Sequence, residues 1–285
     1  MIFAVLILAA GTVYKVPYLK SVFYDQMVSG LSISHTQIGI LSSAYAGSKM
    51  LMYIPCGIFA DRINTKRVLV FSLVGESILT AIYATLPAMP ILIGVQVMFA
   101  FVNIFFWTSF IKSIRILGKN REQGKIFGLS EGLRGITGSL ATFLGLHIIN
   151  LFAMKQHSLC YVLWFYAAYY MVVGILVWRI YPDQMETEEE RCQQWSDYVE
   201  VFRKPAVWMV SLLIITSYSL QVAFEYTTAY MTQVLGITAM LAGVVATLRD
   251  NICGLIGSPL AGAWADKRKS PTDVALRLLL IEILL

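Results

Sequence analysis

Long apolar runs separated by short polar connections dominate the chain and predict its elements. A helix that crosses a bilayer needs about 20 mostly apolar residues, and it satisfies its own backbone hydrogen bonds, so we interpret each run as a helix. The predicted spans are residues 1–25, 36–59, 66–87, 89–112, 123–150, 158–180, 205–233 and 238–265, with a ninth beginning near Thr272. The pattern therefore predicts an all-α membrane protein.

The connections between these runs alternate in charge. Those around Pro87 and Gly236 carry no charged residue, whereas three others are rich in lysine and arginine, namely the stretches at 62–67, 115–125 and 267–269. Lysine and arginine favour cytoplasmic loops. We therefore expect the N-terminus and these basic turns on the cytoplasmic side of the cell (inner) membrane.

One long hydrophilic segment, residues 181–204, interrupts the apolar pattern. An amphipathic surface helix is one interpretation, but its acidic start, with Glu186 and Glu188, would be repelled by anionic lipid, so we favour a solvated cytoplasmic linker. The predicted organisation has three parts: a six-helix transmembrane bundle over 1–180, the linker over 181–204, and a partial C-terminal bundle over 205–285, with two helices and the start of a third.

A short charged turn occurs twice, each time at the end of an apolar run. Residues 57–67 read GIFADRINTKR and residues 262–269 read GAWADKRK. The residues before them also recur, because Pro55 reappears as Pro259 after 204 positions and Asp61 as Asp266 after 205. Agreement in residue type, order and spacing indicates an internal duplication.

Composition agrees with a bilayer environment. Hydrophobic residues make up 58% of the chain, charged residues 14%, and the mean hydropathy is +0.69, against roughly 45 to 50% apolar and 25% charged in a soluble domain. The net charge of +5 comes from basic residues spread over several loops, which gives nucleic-acid binding almost no support. The four cysteines lack paired spacing, and no nucleotide fingerprint follows a strand, so we expect no disulfide, metal or cofactor.

The turn after the second helix resembles that of the major facilitator superfamily. The family pattern is G-x-x-x-D-R-x-G-R-R, and Asn64 replaces its second glycine; the matching residues are Gly57, Asp61, Arg62, Lys66 and Arg67. The resemblance implies two six-helix bundles, which need roughly 400 residues. We therefore expect these 285 residues to be a C-terminally truncated form, with an incomplete second bundle, that does not transport by itself.

A second resemblance lies at the fourth helix. Trp107, Lys112 and the stretch 122–124 resemble the W-x-x-x-x-R and E-R-G elements of the organophosphate and anion branch of the superfamily. A lysine cannot provide the planar bidentate grip of an arginine. Specificity for a phosphate ester therefore does not follow.

The two turns also predict a conformational latch. A carboxylate at the end of one helix can cap the N-terminus of a neighbouring helix, a contact worth about 0.3 to 2 kcal/mol. By analogy with the family, Asp61 would face the eleventh helix and Asp266 the start of the fifth, near residues 123–126. The alternative is a solvated turn that only follows the charge rule for loops. The predicted latch residues are Gly57, Asp61, Arg62, Lys66, Arg67, Asp266 and Lys267.

Polar side chains deep in the spans are the candidates for a solute site. In the family such sites lie near the midplane between repeats, lined by the first, fourth and seventh helices, and an ionisable group there costs at least about 2.5 kcal/mol. The resemblance implies Lys15 as the solute or anion contact and Glu225 as a proton carrier or counter-charge. The predicted substrate-binding residues are Tyr14, Lys15, Tyr18, Asn103, Trp107, Tyr218, Gln221 and Glu225.

Each of these candidates also has a structural interpretation. Lys15 pairs with Glu131 or Asp250, Trp107 packs or faces lipid, and Glu225 meets water at the outer end. The remaining intramembrane charges are expected to form ion pairs, and Glu131 with Arg134 is favoured as a structural pair because they are three residues apart on one helix. The predicted ion-pair residues are Lys49, Glu131, Arg134, Arg249 and Asp250.

The sequence and the resemblance together predict a monomeric secondary active transporter. It would move a small polar or anionic solute across the lipid bilayer by alternating access, with a proton as the candidate coupling ion in symport. A sensor of the same fold that binds solute without moving it is the alternative. An enzyme is not favoured, because the polar residues include no recognisable nucleophile and base set.

Overall fold

The computed structural model describes residues 1–118, 123–152, 158–183, 200, 203–224, 227–268, 274 and 277; the side chains at 61, 213, 217, 220–224, 247 and 249–255 lie outside the description. The regular structure throughout this part of the chain is helical. The helices are α1 (Ile2–Thr12), α2 (Tyr24–Leu31), α3 (His35–Arg62), α4 (Thr65–Ala84), α5 (Met89–Leu117), α6 (Gln123–Leu151), α7 (Ser158–Ile180), α8 (Pro205–Phe224), α9 (Thr227–Gln233) and α10 (Ala239–Arg268), with a 3-10 turn at Leu19–Ser21.

The first predicted span is not one helix. The first helix ends at Thr12, turns follow over residues 13–18, and the 3-10 turn leads into α2. Pro17 explains the interruption, because proline has no N–H for a helical hydrogen bond and disfavours helical backbone at Val16 before it. On α7, the hydroxyl of Tyr170 donates a hydrogen bond of 2.8 Å to the carbonyl oxygen of Thr12, so the end of α1 is held from the side. A continuous helix over residues 1–25 is therefore wrong.

The duplication seen in the sequence is visible in the local design of α3 and α10. The hydroxyl of Ser34 accepts a hydrogen bond of 3.3 Å from the amide of Gln37, and at the equivalent position Thr238 accepts one of 3.4 Å from Leu241. Such side chains satisfy amides that the first helical turn leaves open. Each helix also carries an internal proline at equivalent positions, Pro55 and Pro259.

The helices pack mainly in three pairs. These pairs are α4 with α7, α3 with α5, and α6 with α10, while α1 lies against α6 and α7. The main core contains fully buried aromatic side chains such as Phe99, Tyr166 and Tyr170, and a second core of α1 residues packs on Phe106 and Phe110. Because α6 contacts both α1 and α10, it connects the two regions that the sequence separates into bundles.

By length and composition, four of the described helices can cross a membrane: α4, α5, α6 and α7. The first helix and residues 205–216 of α8 are apolar but shorter. The predicted all-α membrane fold is therefore confirmed for this part of the chain. The ninth predicted span and most of the linker fall outside the described residues.

Candidate functional site

Four aromatic side chains form a row beside the end of α1; we call them the aromatic row. The ring centroids of Tyr45 and Tyr18 lie 5.3 Å apart, those of Tyr18 and Tyr14 6.2 Å, and those of Tyr14 and Trp107 5.7 Å, each pair edge to face. Aromatic pairs attract one another in this range beyond the burial of their surface. Two of the rings come from the turns that replace helix around Pro17, so that interruption places them between α3 and α5.

Two cationic side chains lie over ring faces of the aromatic row. The Nζ atom of Lys49 is 4.7 Å from the Tyr14 centroid and 5.6 Å from the Tyr45 centroid, and the guanidinium carbon of Arg134 is 5.4 Å from the Trp107 centroid. The face of an aromatic ring carries negative potential and attracts cations. A lysine from α3 and an arginine from α6 therefore flank one aromatic pair.

Lys49 differs from its predicted role in an ion pair. The ion pairs among the described residues do not include it, and its ammonium group lies over two tyrosine rings instead. Tyr45 is four residues before Lys49 on α3, so the two side chains share one helix face. Tyr45 is not among the predicted site residues, although this spacing beside an intramembrane lysine is a usable signal.

Glu131 and Arg134 form an ion pair on α6. The Nε atom of Arg134 donates to Oε2 of Glu131 at 3.0 Å, and one terminal nitrogen donates to the same oxygen. Both side chains are about one third exposed, at 31% and 34%. A guanidinium has five N–H donors, so Arg134 retains donors for a solute while it lies against Trp107.

Lys15 lies against α6 at Gly138, where the absence of a side chain leaves space for the lysine. A Cβ atom on Gly138 would lie 3.3 Å from Cε and 3.4 Å from Nζ of Lys15, and 2.7 Å from the carbonyl oxygen of Gly11. The lack of a side chain at Gly138 thus allows the α1 end and the lysine stem to approach α6. This places a third cationic side chain next to Tyr14 in sequence and against the helix that carries Arg134.

The other predicted solute residues lie elsewhere or outside the described part. Asn103 is fully buried and donates hydrogen bonds to Glu76 on α4 and to the carbonyl oxygen of Phe99. Tyr218 on α8 is 61% exposed and within electrostatic range of Tyr14. Nothing is described for Glu225 or for the side chains of three further predicted residues, Gln221, Arg249 and Asp250.

No three His, Cys, Asp or Glu side chains among the described residues lie close enough together to hold a metal ion.

The turn at the end of α10 contacts the start of α6. The Asp266 carboxylate accepts two main-chain hydrogen bonds, at Oδ1 from the amide of Gly124 (3.0 Å) and at Oδ2 from the amide of Lys125 (2.7 Å). Amides in the first turn of a helix have no partner within the helix, and the helix dipole favours a negative charge there. The contact lies where the family resemblance implies it, and its role as a latch stays a prediction.

Glycines allow this contact. A Cβ atom on Gly262 would collide with the carbonyl oxygen of Gly124, and one on Gly128 would lie 2.5 Å from the carbonyl oxygen of Ser258 and 3.0 Å from Cα of Pro259. Small residues of this kind let helix backbones approach closely in membranes. The short Asp266 side chain therefore reaches the main chain of α6.

The first copy of the turn has different surroundings. A Cβ atom on Gly57 would meet nothing within 4 Å. Asn64, which replaces a glycine of the family pattern, has a φ of −56°, and its Oδ1 caps α4 by accepting hydrogen bonds from the amides of Lys66 and Arg67. The side chain of Asp61 lies outside the description. Three other predicted latch residues have exposed side chains, namely Arg62, Arg67 and Lys267.

Asp183 joins the first turn to the segment after α7. Its carbonyl oxygen accepts a hydrogen bond of 2.9 Å from Nδ2 of Asn64, and its carboxylate lies 3.1 Å from Nζ of Lys66. The first turn therefore holds the start of the predicted linker.

We expect Asp266→Ala to lower the free energy of unfolding by about 0.5 to 1 kcal/mol, because two first-turn amides and the helix dipole lose their partner. Amide hydrogen exchange measured by mass spectrometry should accelerate at the start of α6. Asp183→Ala breaks the contact at the other turn and should leave exchange at α6 unchanged. Equal exchange rates at α6 in the Asp266 variant and the parent would contradict the capping role.

A bundle of membrane-length helices with a duplicated charged turn defines an α-helical membrane protein built from a repeat. Residues 2–284 match the family model described as Major Facilitator Superfamily. The chain belongs to the major facilitator superfamily, which confirms the resemblance seen in its turns.

The chain is similar in sequence to three relatives. It is 29% identical over 281 residues to "Inner membrane protein YqcE" of Escherichia coli K12, covering 95% of this chain and 66% of that protein. "Inner membrane protein YihN" of the same strain is 24% identical over 279 residues, with the same coverage of 95% and 66%. An uncharacterized protein of Mycoplasma pneumoniae is 36% identical over 83 residues, which is 28% of this chain and 64% of that one. The chain thus spans about two thirds of the length of the two E. coli relatives.

Solved structures agree in fold. A bacterial homologue of the human lysosomal transporter Spinster, in an inward-facing and unoccupied conformation, superposes with a TM-score of 0.70 at 17% identity, covering 93% of this chain and 62% of that one. The occupied form gives 0.69 at 17% identity, covering 93% and 61%. At this identity the likeness shows the fold alone.

Proposed function

We propose that the protein acts as a secondary active transporter of the inner membrane that moves a small polar or anionic solute by alternating access. The observation that carries the proposal is the placement of Lys49 and Arg134 over the Tyr14 and Trp107 rings. Membership of the superfamily and the inner-membrane names of the two E. coli relatives support it.

The charges at the aromatic row favour an anionic solute. Lys49 and Arg134 bring cationic groups to the rings of the aromatic row, Arg134 is paired with Glu131, and Lys15 lies against the same helix as Arg134. Fixed cations beside apolar ring surfaces attract an anion and also pack its carbon skeleton. We propose that Lys15 and the remaining Arg134 donors bind the charged group, while Tyr14, Tyr18 and Trp107 contact the rest of the solute.

The contact of Asp266 with α6 can stabilise one of the two conformations that alternating access requires. We propose that this cap holds the ends of α6 and α10 together in one conformation and releases them in the other, with the glycine contacts acting as the sliding surface. A cap worth about 1 kcal/mol shifts a two-state equilibrium roughly fivefold. In this proposal the turns, the N-terminus and the linker lie on the cytoplasmic side, and residues 1–180 and 205–285 move relative to one another.

Proton coupling belongs to the same proposal. A proton moving with the solute would offset the charge of an anion that crosses the bilayer. Glu225 is the proposed carrier, because its spacing from Gln221 and Tyr218 along the chain places all three on one polar face of the predicted seventh span.

Solute binding can be tested by thermal-shift screening of the purified protein against sugars, organic acids and phosphorylated solutes. We expect an anionic solute to give the largest stabilisation, because a ligand that binds the folded protein raises its melting temperature. Lys15→Ala should weaken the binding of that solute about tenfold, which corresponds to about 1.4 kcal/mol. Lys20→Ala, in the 3-10 turn that follows, is the matched control and should bind like the parent. Equal affinity in both variants would remove Lys15 from the site.

Flux measurements separate transport from sensing. Proteoliposomes with a full-length protein that completes the second bundle should take up the identified solute saturably, and a proton gradient should change the rate, whereas the 285 residues alone should give no uptake. Saturable binding without any flux in the full-length protein would contradict the transporter proposal and favour a sensor of the same fold.

A further inference from the structure

A carboxyl group and an amide face each other in the contact between α4 and α5, away from solvent. Glu76 and Asn103 are both 0% exposed. The Nδ2 atom of Asn103 donates a hydrogen bond of 2.5 Å to Oε1 of Glu76. The second oxygen of each side chain, Oε2 of Glu76 and Oδ1 of Asn103, is buried and has no hydrogen-bond partner.

The two oxygens without partners, Oε2 of Glu76 and Oδ1 of Asn103, indicate which hydrogen-bond donor is missing. An ionised carboxylate and an amide oxygen only accept hydrogen bonds, so an ionised Glu76 would leave both oxygens without a donor in the membrane interior. Buried polar atoms without partners and unpaired charges in a bilayer are both unfavourable. A single proton on Oε2 removes the charge of Glu76 and supplies the one donor that Asn103 Oδ1 lacks.

The surroundings of Glu76 offer no compensating cation among the described contacts. The ionisable groups that interact with it are the phenols of Tyr45 on α3 and Tyr170 on α7. Ser72 and Thr80, one helical turn to either side on α4, are buried hydroxyls. Lys49 lies over the Tyr14 and Tyr45 rings.

On α5 the nearest lysine along the chain is distant from the pair. Lys112 is nine residues beyond Asn103, which is about 13 Å along the helix axis. The described groups that interact with Glu76 are therefore neutral: two phenols and the amide of Asn103.

We propose that Glu76 is a proton-binding site: it holds a proton on Oε2 at neutral pH and donates it to Oδ1 of Asn103, while Nδ2 of Asn103 donates to Oε1. The result is a cyclic pair of acid and amide with two antiparallel hydrogen bonds that joins α4 to α5. The inference is independent of the solute site, since it rests on buried contacts that do not involve the aromatic row. It also gives Asn103 a role different from the solute contact implied by the family resemblance.

Infrared spectroscopy of the purified protein tests this directly, because the C=O stretch of a protonated carboxylic acid is separate from the bands of a carboxylate. At neutral pH, the difference spectrum of the parent minus Glu76→Gln should contain one carboxylic acid band that shifts in D₂O. Glu200→Gln is the control, because Glu200 is an exposed carboxylate paired with Lys204; its difference spectrum should contain only carboxylate bands. Carboxylate bands in the Glu76 difference would overturn the proposal.

A second variant identifies the acceptor. Asn103→Leu removes both hydrogen-bonding groups of the amide, so the acid band of Glu76 should move to a higher frequency. A parent protein without any acid band at neutral pH, or with one that does not respond to Asn103→Leu, would overturn the proposal even if the Glu76 variant cannot be purified.

Thermal unfolding in detergent tests whether folding requires Glu76 as a neutral acid or as a negatively charged carboxylate. Glutamine at position 76 can make the same two hydrogen bonds to Asn103, so Glu76→Gln should melt close to the parent, whereas Asn103→Leu should melt lower. A large loss of stability in Glu76→Gln would mean that the negative charge is needed, which contradicts the proposal.

Discussion

Gly262→Ala is expected to lower the free energy of unfolding by about 1 to 3 kcal/mol, the usual cost of forcing an extra methyl group into a packed contact. The new Cβ atom would collide with the carbonyl oxygen of Gly124 and would lie 2.9 Å from its carbonyl carbon. These are main-chain atoms of α6, so no side-chain rotation can relieve the collision. The two helices must separate, and the Asp266 cap must lengthen or break.

The internal repeat provides a matched control for this variant. Gly57 occupies the equivalent position in the first turn, and a Cβ atom there would meet nothing within 4 Å. Gly57→Ala should therefore leave stability unchanged or raise it by up to about 1 kcal/mol, since alanine favours helix over glycine. Unfolding in detergent followed by circular dichroism measures both variants. If the two alanines have equal effects, the glycine contact between α6 and α10 does not hold the helices together.

Arg134→Gln is expected to lower the free energy of unfolding by about 1 to 3 kcal/mol and to weaken solute binding more than tenfold. The Glu131 carboxylate would lose its partner within a membrane helix, and Trp107 would lose the cation over its ring. Removing one partner of a fully buried ion pair costs about 3 to 5 kcal/mol. We expect less because both side chains are about one third exposed.

A double-mutant cycle separates the structural part of this effect from the solute site. Glu131→Gln combined with Arg134→Gln removes both charges and should recover more than half of the lost stability, without recovering solute binding. Lys204→Gln breaks an exposed pair with Glu200 and should cost at most about 0.5 kcal/mol. Full stability in Arg134→Gln alone would show that the pair does not support α6, and retained binding would remove Arg134 from the proposed site.

The helices were predictable from sequence because their cause is local. A run of about 20 apolar residues forms a helix in a bilayer whatever it packs against, and the spans at α4, α5, α6 and α7 follow this rule. The error at residues 1–25 has a local cause as well, since Pro17 interrupts hydrogen bonding after α1. Apolar length alone predicts a continuous helix there.

The site was less predictable because the partners of a polar side chain come from other helices. The sequence marks Lys49 and Asn103 as polar groups inside the membrane, but their partners, Tyr14 and Glu76, are 35 and 27 residues away. Spacing along a single helix predicts only neighbours three or four residues apart. Glu131 with Arg134 is such a pair, and the structure contains it.

The sequence by itself determined the class of fold, the family and the duplicated turn, because hydrophobic length, charge in the loops and a repeated motif are all properties of consecutive residues. Only the tertiary structure decided that the first turn binds Asp183 and that Glu76 faces Asn103, whereas the contact of Asp266 with α6 lies where the family resemblance implied it. These outcomes depend on which helix backbones approach most closely. Contacts with atoms on other helices set that approach, so one segment of sequence does not specify it.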